Sequence, residues 1–263
     1  MATKYNYTPR HPWGFAASEG NLTGVRAIHK FGHNTTVGTS FVPITLGGVY
    51  RTPQVSGATA LRVKAGGDAN DTAAGTGARE ITLEGLDETG AYATEVVATA
   101  GASASSATTT TFLRLFRAYV SASGTYATAT AGSHSAQIQI EDSSGTNNWA
   151  FISATDFPRS QSQIGVYTTP LGRTVYITGI IVTVETTKAA DILLFQRGGV
   201  LDTAAPYEGM RILLEWTGIE DKLVEEFPTP IKLTELTDIG FMGKVGSSTA
   251  DISVDFEMIE VTE

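Results

Sequence analysis

The chain has 263 residues, a formal net charge of −9 and no cysteine. This length suits one large all-β domain or two small domains, and the missing cysteines exclude a disulfide framework, a thiolate zinc site and a cysteine nucleophile. The negative charge argues against a nucleic-acid partner, because affinity for phosphate comes from clustered lysine and arginine. No apolar run approaches the roughly 18 residues of a membrane span, so we expect no membrane partner.

Residues 1–24 are predicted to form an extended N-terminal arm, because Pro9 and Pro12 disfavour helix at the residues before them. Residues 1–33 carry four basic residues and one acidic residue, whereas the rest of the chain carries 14 basic and 26 acidic residues. A basic arm is therefore attached to an acidic body. Aromatic and arginine side chains on such a segment are typical interface anchors. The predicted interface residues are Tyr5, Tyr7, Arg10, Trp13 and Phe15.

Residues 25–145 are predicted to form a β region that is rich in glycine, alanine and threonine. Short apolar runs alternate there with turn-forming residues, a pattern typical of strands and turns. Glu80–Leu86 and Tyr92–Thr99 flank the sequence DETG, which predicts a β-hairpin. The other candidate strands are Val25–Phe31, Ser40–Leu46, Thr59–Ala65 and Thr110–Ser121.

Residues 146–263 are predicted to form a jelly-roll-like β-sandwich. Apolar and polar residues alternate in Asp251–Val261, and this period of two indicates a half-buried strand. Glu220–Phe227 favours a helical turn or two, which Pro228 would end. The other candidate strands are Thr174–Thr186, Ile192–Phe195, Met210–Trp216 and Ile231–Phe241.

The predicted fold class is therefore all-β, an antiparallel β-sandwich or jelly roll with an extended N-terminal arm. Many short strands separated by glycine, proline and aspartate support this class. Whether 25–145 and 146–263 are separate domains or one interleaved sandwich stays open at this stage.

No catalytic, metal-binding or cofactor-binding set is predicted. His29 and His33 have the spacing of a helical zinc motif, but on a strand four residues span about 13 Å, too far for one metal ion. The same distance separates Glu80 from Glu84, which argues against paired glycosidase carboxylates. The loop at 68–77, DANDTAAGTG, offers oxygen ligands of the type calcium takes, but its composition favours a tight turn capped by aspartate and asparagine. We therefore expect a protein that is not an enzyme.

Two groups of strand-and-turn motifs are recognisable. The first comprises HKFGHN, DANDTAAGTGAREITLEGLDETGAYATEVV and TTTTFLRLFRAYV, and the second joins PIKLTELTDIGFMGKV to DISVDFEMIEV. Together they resemble virion structural proteins of tailed bacteriophages, of the capsid decoration or cement kind. The resemblance implies a non-enzymatic β protein, commonly a homotrimer, on the exterior of a capsid with the major capsid protein as its partner. It carries over no functional residue, because this class has no catalytic set.

The leading hypothesis is a capsid cement protein whose edge strands are buried between copies and whose arm lies across neighbouring shell subunits. A second hypothesis is a phage head spike, fibre or tail component that binds host surface glycans. Trp149, Tyr167 and Trp216 would then offer stacking faces, although core packing is the favoured role of these aromatic residues. A third is a polysaccharide hydrolase, to which nothing in the sequence points. Position in the virion and oligomeric symmetry stay open.

Overall fold

The structure, a computed structural model, describes residues 12–51, 57–65, 68–125, 133–155 and 158–263. These ranges contain one short α-helix, one turn of 3-10 helix at Leu46–Gly48 and strands throughout. The helix in this part of the chain is too short to cross a membrane. In chain order the elements are α1 (Pro12–Ser18), β1 (Val25–Val37), β2 (Val42–Pro43), β3 (Thr59–Ala65), β4 (Ala78–Asp87), β5 (Tyr92–Ala98), β6 (Thr111–Ser123), β7 (Ile138–Asp142), β8 (Asn148–Ile152), β9 (Val166–Thr168), β10 (Arg173–Val184), β11 (Ala189–Arg197), β12 (Arg211–Glu220), β13 (Lys222–Leu233), β14 (Asp238–Val245) and β15 (Ala250–Thr262).

Two antiparallel sheets pack face to face and form a β-sandwich. Sheet A has the strand order β1-β15-β10-β13, and sheet B has the order β12-β11-β14-β2, with β9 also paired to β14. Phe256 of sheet A meets Phe241 of sheet B with ring centroids 5.3 Å apart. Alternate residues of β15 are buried in this core while Asp255 and Glu257 are exposed, so the period of two in the sequence is confirmed. The all-β sandwich class predicted from the sequence is confirmed as well.

A third antiparallel sheet, sheet C, has the order β5-β4-β6-β3-β7-β8. It has its own apolar core, in which Leu83 and Phe112 are fully buried. The predicted hairpin is present as β4 and β5, which pair from Glu80 with Ala98 to Leu86 with Tyr92. At its turn the Asp87 carboxylate accepts hydrogen bonds from the backbone N–H groups of Thr89 and Ala91, the local turn chemistry that aspartate provides.

Close backbone contact fixes one edge of the sandwich. A Cβ atom on Gly32 of β1 would lie 2.3 Å from both the Ile44 carbonyl oxygen and the Gly165 Cα. Only glycine fits at that distance, because the obstructing atoms belong to the backbone and cannot rotate away. The segments around Ile44 and Gly165 therefore lie directly against β1.

The three sheets do not follow the predicted regions 25–145 and 146–263. β1 and β2 lie in the first region but belong to sheets A and B, with β1 pairing along β15 from Val25–Val261 to Val37–Ala250. β8 lies in the second region but completes sheet C, and residue 145 falls in the loop between β7 and β8. The sandwich is thus assembled from both ends of the chain, and sheet C is inserted between β2 and β9.

The prediction of an extended arm over 1–24 is wrong for Pro12–Ser18, which is the helix α1. Proline is tolerated in the first turn of a helix, because its missing N–H would have no partner there and its fixed φ suits the helix. Pro12 restricts the residue before it, not the seven residues that follow. Residues 1–11 lie outside the described part of the chain.

The prediction of a helical turn over Glu220–Phe227 is also wrong, because this segment joins the end of β12 to β13. Half-buried and exposed residues alternate along Lys222–Phe227, the period of a strand and not of a helix. The turn between the two strands is made at Asp221, whose φ is 62°. Pro228 does not end the element, because β13 is an edge strand of sheet A and an edge strand tolerates a missing donor.

Candidate interaction site

The predicted interface residues lie at or before α1. Tyr5, Tyr7 and Arg10 lie outside the described residues, and Trp13 falls within α1 without a described side chain. Phe15, also in α1, is 47% exposed, whereas Ala17 is buried. The helix packs beside β1, the edge strand of sheet A. The structure therefore places the C-terminal end of the predicted interface segment, in α1, at one edge of the sandwich.

A buried ion pair joins sheet C to sheet B. Arg114 of β6 donates two hydrogen bonds to Asp238 of β14, from Nε to Oδ1 at 3.1 Å and from Nη2 to Oδ2 at 2.7 Å. The side chain of Asp238 is 0% exposed and that of Arg114 is 5% exposed. Tyr50 and Thr168 donate their hydroxyl protons to the same carboxylate. We call these four residues the Asp238 cluster.

Electrostatics keep two members of the Asp238 cluster, Arg114 and Tyr50, in their bonded forms. Burial lowers the pKa of Arg114, but the neighbouring Asp238 carboxylate outweighs that effect and the net pKa is raised. Burial raises the pKa of Tyr50, and the same carboxylate raises it further. The arginine therefore stays charged and the tyrosine stays a donor near neutral pH.

A second buried carboxylate, Glu260 of β15, contacts all three sheets. Its Oε2 accepts hydrogen bonds from the hydroxyl of Tyr92 in β5 at 2.5 Å and from that of Tyr167 in β9 at 2.8 Å. Its Oε1 lies 3.0 Å from Nε of Arg26 in β1. The Arg26 guanidinium also lies 4.1 Å from the centroid of the Tyr92 ring, a cation–π contact. The Glu260 cluster, these four residues, fixes sheet C to the sandwich at a second point.

A cavity of about 520 Å³ opens where sheet A faces β6. Phe116, Ile180 and Phe256 contribute apolar walls, and Lys30 and Arg117 contribute cations. The Lys30 ammonium donates a hydrogen bond to the Phe116 carbonyl oxygen. Burial lowers the pKa of Lys30 to about 7, with a further lowering by the Arg117 charge.

The histidines considered as metal ligands have other roles. His29 is exposed and lies 3.8 Å from Glu257, whereas His33 is buried and hydrogen-bonded to Asp251 and Gln163. Within the described ranges, no group of three or more histidine, aspartate or glutamate side chains is arranged to hold a metal ion. The two histidines therefore do not converge on one site.

The loop at 68–77 is organised by its own carboxylates. Asp71 is fully buried and accepts hydrogen bonds from the backbone N–H groups of Ala78, Ser135 and Ala136 at 2.8–3.0 Å. Asp68 accepts one from Asn70 at 2.8 Å. These contacts are those of the capped turn that the sequence favours over a calcium loop.

The aromatic residues considered for glycan stacking are largely inside the protein. Trp149 and Tyr167 are buried, and Trp216 is half-buried with its Nε1–H donating to Glu225 at 3.0 Å. Buried rings offer no face to a sugar, so the favoured core role is confirmed for Trp149 and Tyr167.

The residues that join the sheets were not identified from the sequence. Arg114 is one of two arginines, with Arg117, within the apolar run TTFLRLFRAYV, and a charge in a strand covered on both faces requires a buried partner. The sequence therefore indicates that Arg114 needs a buried partner. It does not indicate that the partner is Asp238, because that residue lies 124 positions away in the chain.

Neither a protein-family model nor a curated protein matches the chain. Among solved structures, one similar chain is from "Structure of infectious bursal disease virus Gt strain". It is 9% identical, and the alignment covers 90% of this chain and 72% of that one, with a TM-score of 0.24. A similarity at this TM-score carries no argument about shared fold or function.

Proposed function

We propose that this chain is a non-enzymatic structural protein of a virus particle, located on the outside of a phage capsid, where it decorates and cements the shell. The observation that carries the proposal is the use of the buried charged groups. Asp71 and Asp238 accept hydrogen bonds on both carboxylate oxygens from donors within the chain, and Glu260 accepts them from two tyrosine hydroxyls, so these three carboxylates stabilise the fold. The motifs that resemble phage decoration proteins supply the location.

The two buried clusters suit a protein that must keep its shape while it contacts neighbouring subunits. Removing one partner of a buried ion pair is strongly destabilising, about 3–5 kcal/mol. The Asp238 and Glu260 clusters join sheet C to the sandwich at two separate points. A body held in this way presents its edges and α1 at fixed positions, which repeated contacts on a lattice require.

The N-terminal segment is the proposed attachment to the shell. It is basic while the rest of the chain is acidic, and α1 holds its end against the edge strand β1. Tyr5, Tyr7, Trp13 and Phe15 would anchor it on the major capsid protein, with Arg10 making a charge contact. Many copies on one lattice add avidity, so each single contact can be weak. Three copies around a local symmetry axis are the proposed oligomer.

The test is occupancy on purified expanded shells, measured with the full chain and with a chain lacking residues 2–11. This deletion leaves α1 and the buried Ala17 in place. We expect occupancy to fall at least about tenfold, equivalent to about 1.4 kcal/mol per site. Tyr207→Ala, which removes an exposed aromatic side chain elsewhere, is the matched control and should bind as the wild type does. Unchanged occupancy of the deleted chain would contradict the role of the arm.

A further inference from the structure

Eight of the residues that line the cavity form one face of sheet A. The lining residues from this sheet belong to three successive rows of directly paired residues, each with one member from β1, β15, β10 and β13. The middle row faces the core, since its member Phe256 meets Phe241 of sheet B. Successive side chains of a strand point to opposite faces, so the rows on either side face away from sheet B. We call these two rows the outer groove: Phe31, Asp255, Ile181 and Val224 in one, and His29, Glu257, Gly179 and Glu226 in the other.

The outer groove combines apolar surface with unpaired negative charge. Phe31 and Ile181 are half-buried, and Val224 is exposed. Asp255 and Glu226 are exposed, and within the described ranges neither takes part in an ion pair. Partial burial raises the pKa of Asp255, and no neighbouring charge in the described structure counters it.

The cations that line the cavity already have partners. His29 lies 3.8 Å from Glu257, and Nη2 of Arg117 lies 3.0 Å from Oε2 of Glu84. Lys30, in the middle row, donates a hydrogen bond to a backbone carbonyl oxygen of β6. The surplus charge of the outer groove is therefore negative, which favours a basic occupant.

Gly179 leaves the outer groove open between Glu257 and Glu226. Its backbone does not adopt the left-handed conformation that favours glycine, and a Cβ atom there would meet only the Glu225 carbonyl oxygen within 4 Å, at 3.4 Å. Nothing in the described structure therefore demands glycine at this position, although glycine weakens a strand. A strand glycine of this kind is typical of a place where a ligand or another chain segment approaches closely.

Residues 1–11 have a composition complementary to the outer groove. They carry Lys4 and Arg10 and no acidic residue, together with two tyrosines. The described chain begins at Pro12 in α1, which packs beside β1, the first strand of the groove. Eleven extended residues reach about 36 Å, whereas four strands are only about 14 Å across. The segment can therefore cover the groove of its own chain, and its covalent tether keeps its local concentration high.

We propose that, in the protein free in solution, residues 1–11 lie in the outer groove of the same chain, with Tyr5 and Tyr7 on its apolar row and Lys4 and Arg10 at its two unpaired carboxylates. The occupant is this segment because its charge, its aromatic side chains and its point of attachment all match the groove. The proposal goes beyond the proposed function, since it concerns the free protein whatever the chain later binds. On a capsid the same side chains would leave the groove for the major capsid protein, so the groove would cover an adhesive segment until it is used.

Trypsin cleavage after Arg10 tests the charge contact. The segment must leave the groove before the protease can act, so the cleavage rate follows the undocked population. Asp255→Asn/Glu226→Gln should accelerate cleavage at least about fivefold, because two ion pairs in a partly apolar groove are lost. Glu215→Gln/Glu220→Gln on β12 makes the same charge change at exposed positions and should leave the rate unchanged. Equal rates in the wild type and the groove variant would overturn the proposal, as would equal acceleration in the control.

Filling the groove is a second test. Gly179→Val adds a side chain that suits a strand, so the free energy of unfolding should not fall, while cleavage after Arg10 should accelerate at least about threefold as the undocked population grows. A stable variant that is cleaved at the wild-type rate would contradict the presence of this segment in the groove.

Cross-linking identifies the chain that supplies the segment. The protein has no cysteine, so only introduced thiols react. Under mild oxidation Tyr7→Cys/Val224→Cys should form a disulfide within one chain, whereas Tyr7→Cys/Val96→Cys should not, although Val96 on β5 is 53% exposed and Val224 is 56% exposed. A disulfide-linked dimer would place the segment on a second copy and overturn the proposal, as would equal reaction of the two variants or none in the first. These measurements use no shell, so their failure is distinct from unchanged shell occupancy of the chain that lacks residues 2–11.

Discussion

The sandwich and sheet C are both antiparallel, yet different interactions stabilise them. In the sandwich the ends of the chain meet through the long β1–β15 ladder, and alternate apolar residues such as Val254 and Phe256 fill the core. In sheet C, carboxylates order the loops: Asp71 and Asp142 each accept several hydrogen bonds from backbone N–H groups. Apolar burial thus orders the sandwich, and buried carboxylates order the loops that connect the strands of sheet C.

This difference shows how low-complexity loops can be held without a large core. Loops rich in glycine, alanine, serine and threonine bury little apolar surface, so hydrophobic burial cannot fix them. A buried carboxylate that accepts hydrogen bonds from several N–H groups can stabilise such a loop in place of apolar burial. Hydrogen bonds to a charged group are stronger than those between neutral groups. Loss of one carboxylate should therefore cost sheet C more than loss of a surface ion pair.

The largest loss of stability is expected at the contact between sheet C and the sandwich. Asp238→Ala leaves Arg114 charged and buried without its partner, so we expect a loss of about 3–5 kcal/mol in the free energy of unfolding. Denaturant unfolding should also change from one transition to two, as sheet C separates from the sandwich. Glu84→Ala breaks the exposed pair with Arg117 and should cost less than about 1 kcal/mol. Equal losses in the two variants would contradict a coupling role for Asp238.

The next effect lies within sheet C. Asp71→Ala removes the acceptor for three backbone N–H groups, and we expect a loss of about 3 kcal/mol in the free energy of unfolding. Asp68→Ala, in the same loop, removes one exposed contact and should cost less than about 1 kcal/mol. Added calcium should leave the thermal midpoint of the wild type unchanged. A calcium-dependent rise that Asp71→Ala abolishes would show a metal loop instead of a capped turn.

A smaller effect, dependent on pH, is expected at the β7–β8 turn. Burial raises the pKa of Asp142, but hydrogen bonds from Ser144, Asn147 and Thr146 outweigh it and lower the pKa to about 2. A lowered folded-state pKa stabilises the fold above the unfolded pKa of 3.8, and the contribution is lost as the pH falls from about 4 to about 2. Asp142→Asn should lose about 1–2 kcal/mol at pH 7. The variant and the wild type should converge in stability near pH 2, and a constant difference across pH would contradict this origin.

A second pH-dependent effect has the opposite sign. The folded-state pKa of Lys30 is lowered to about 7 from 10.5, so between these values the unfolded chain binds a proton that the folded chain does not. The stability of the wild type should therefore rise as the pH increases from about 7 to about 10. Lys30→Met should gain about 1 kcal/mol at pH 6 and lose this rise. Lys222→Met, at an exposed position, is the control and should keep the wild-type profile.

The sequence predicts the strands of the sandwich better than it predicts the contacts between the sandwich and sheet C. The alternation in Asp251–Val261 and the turn DETG report local geometry, and the structure contains the expected strand and hairpin. The strand over Lys222–Phe227 was missed because two adjacent glutamates interrupt its apolar alternation. The pairing of β1 with β15 could not be predicted, since no local pattern encodes a partner more than 200 residues away.

The candidate site was less predictable for the same reason. The aromatic and basic composition of the N-terminal segment predicts an interface, but the position of α1 against β1 depends on tertiary packing. Arg114 and Glu260 are recognisable as charges within apolar strands, whereas their partners Asp238, Tyr92 and Tyr167 come from distant strands.

The most direct test of the assembly role is electron cryo-microscopy of the parent particle at a resolution that shows strands. The account predicts density for the sandwich and sheet C on the outer surface of the capsid, repeated with the shell lattice, with the N-terminal segment touching the major capsid protein. Particles whose shells lack this density, with the chain recovered apart from them as a monomer, would contradict it.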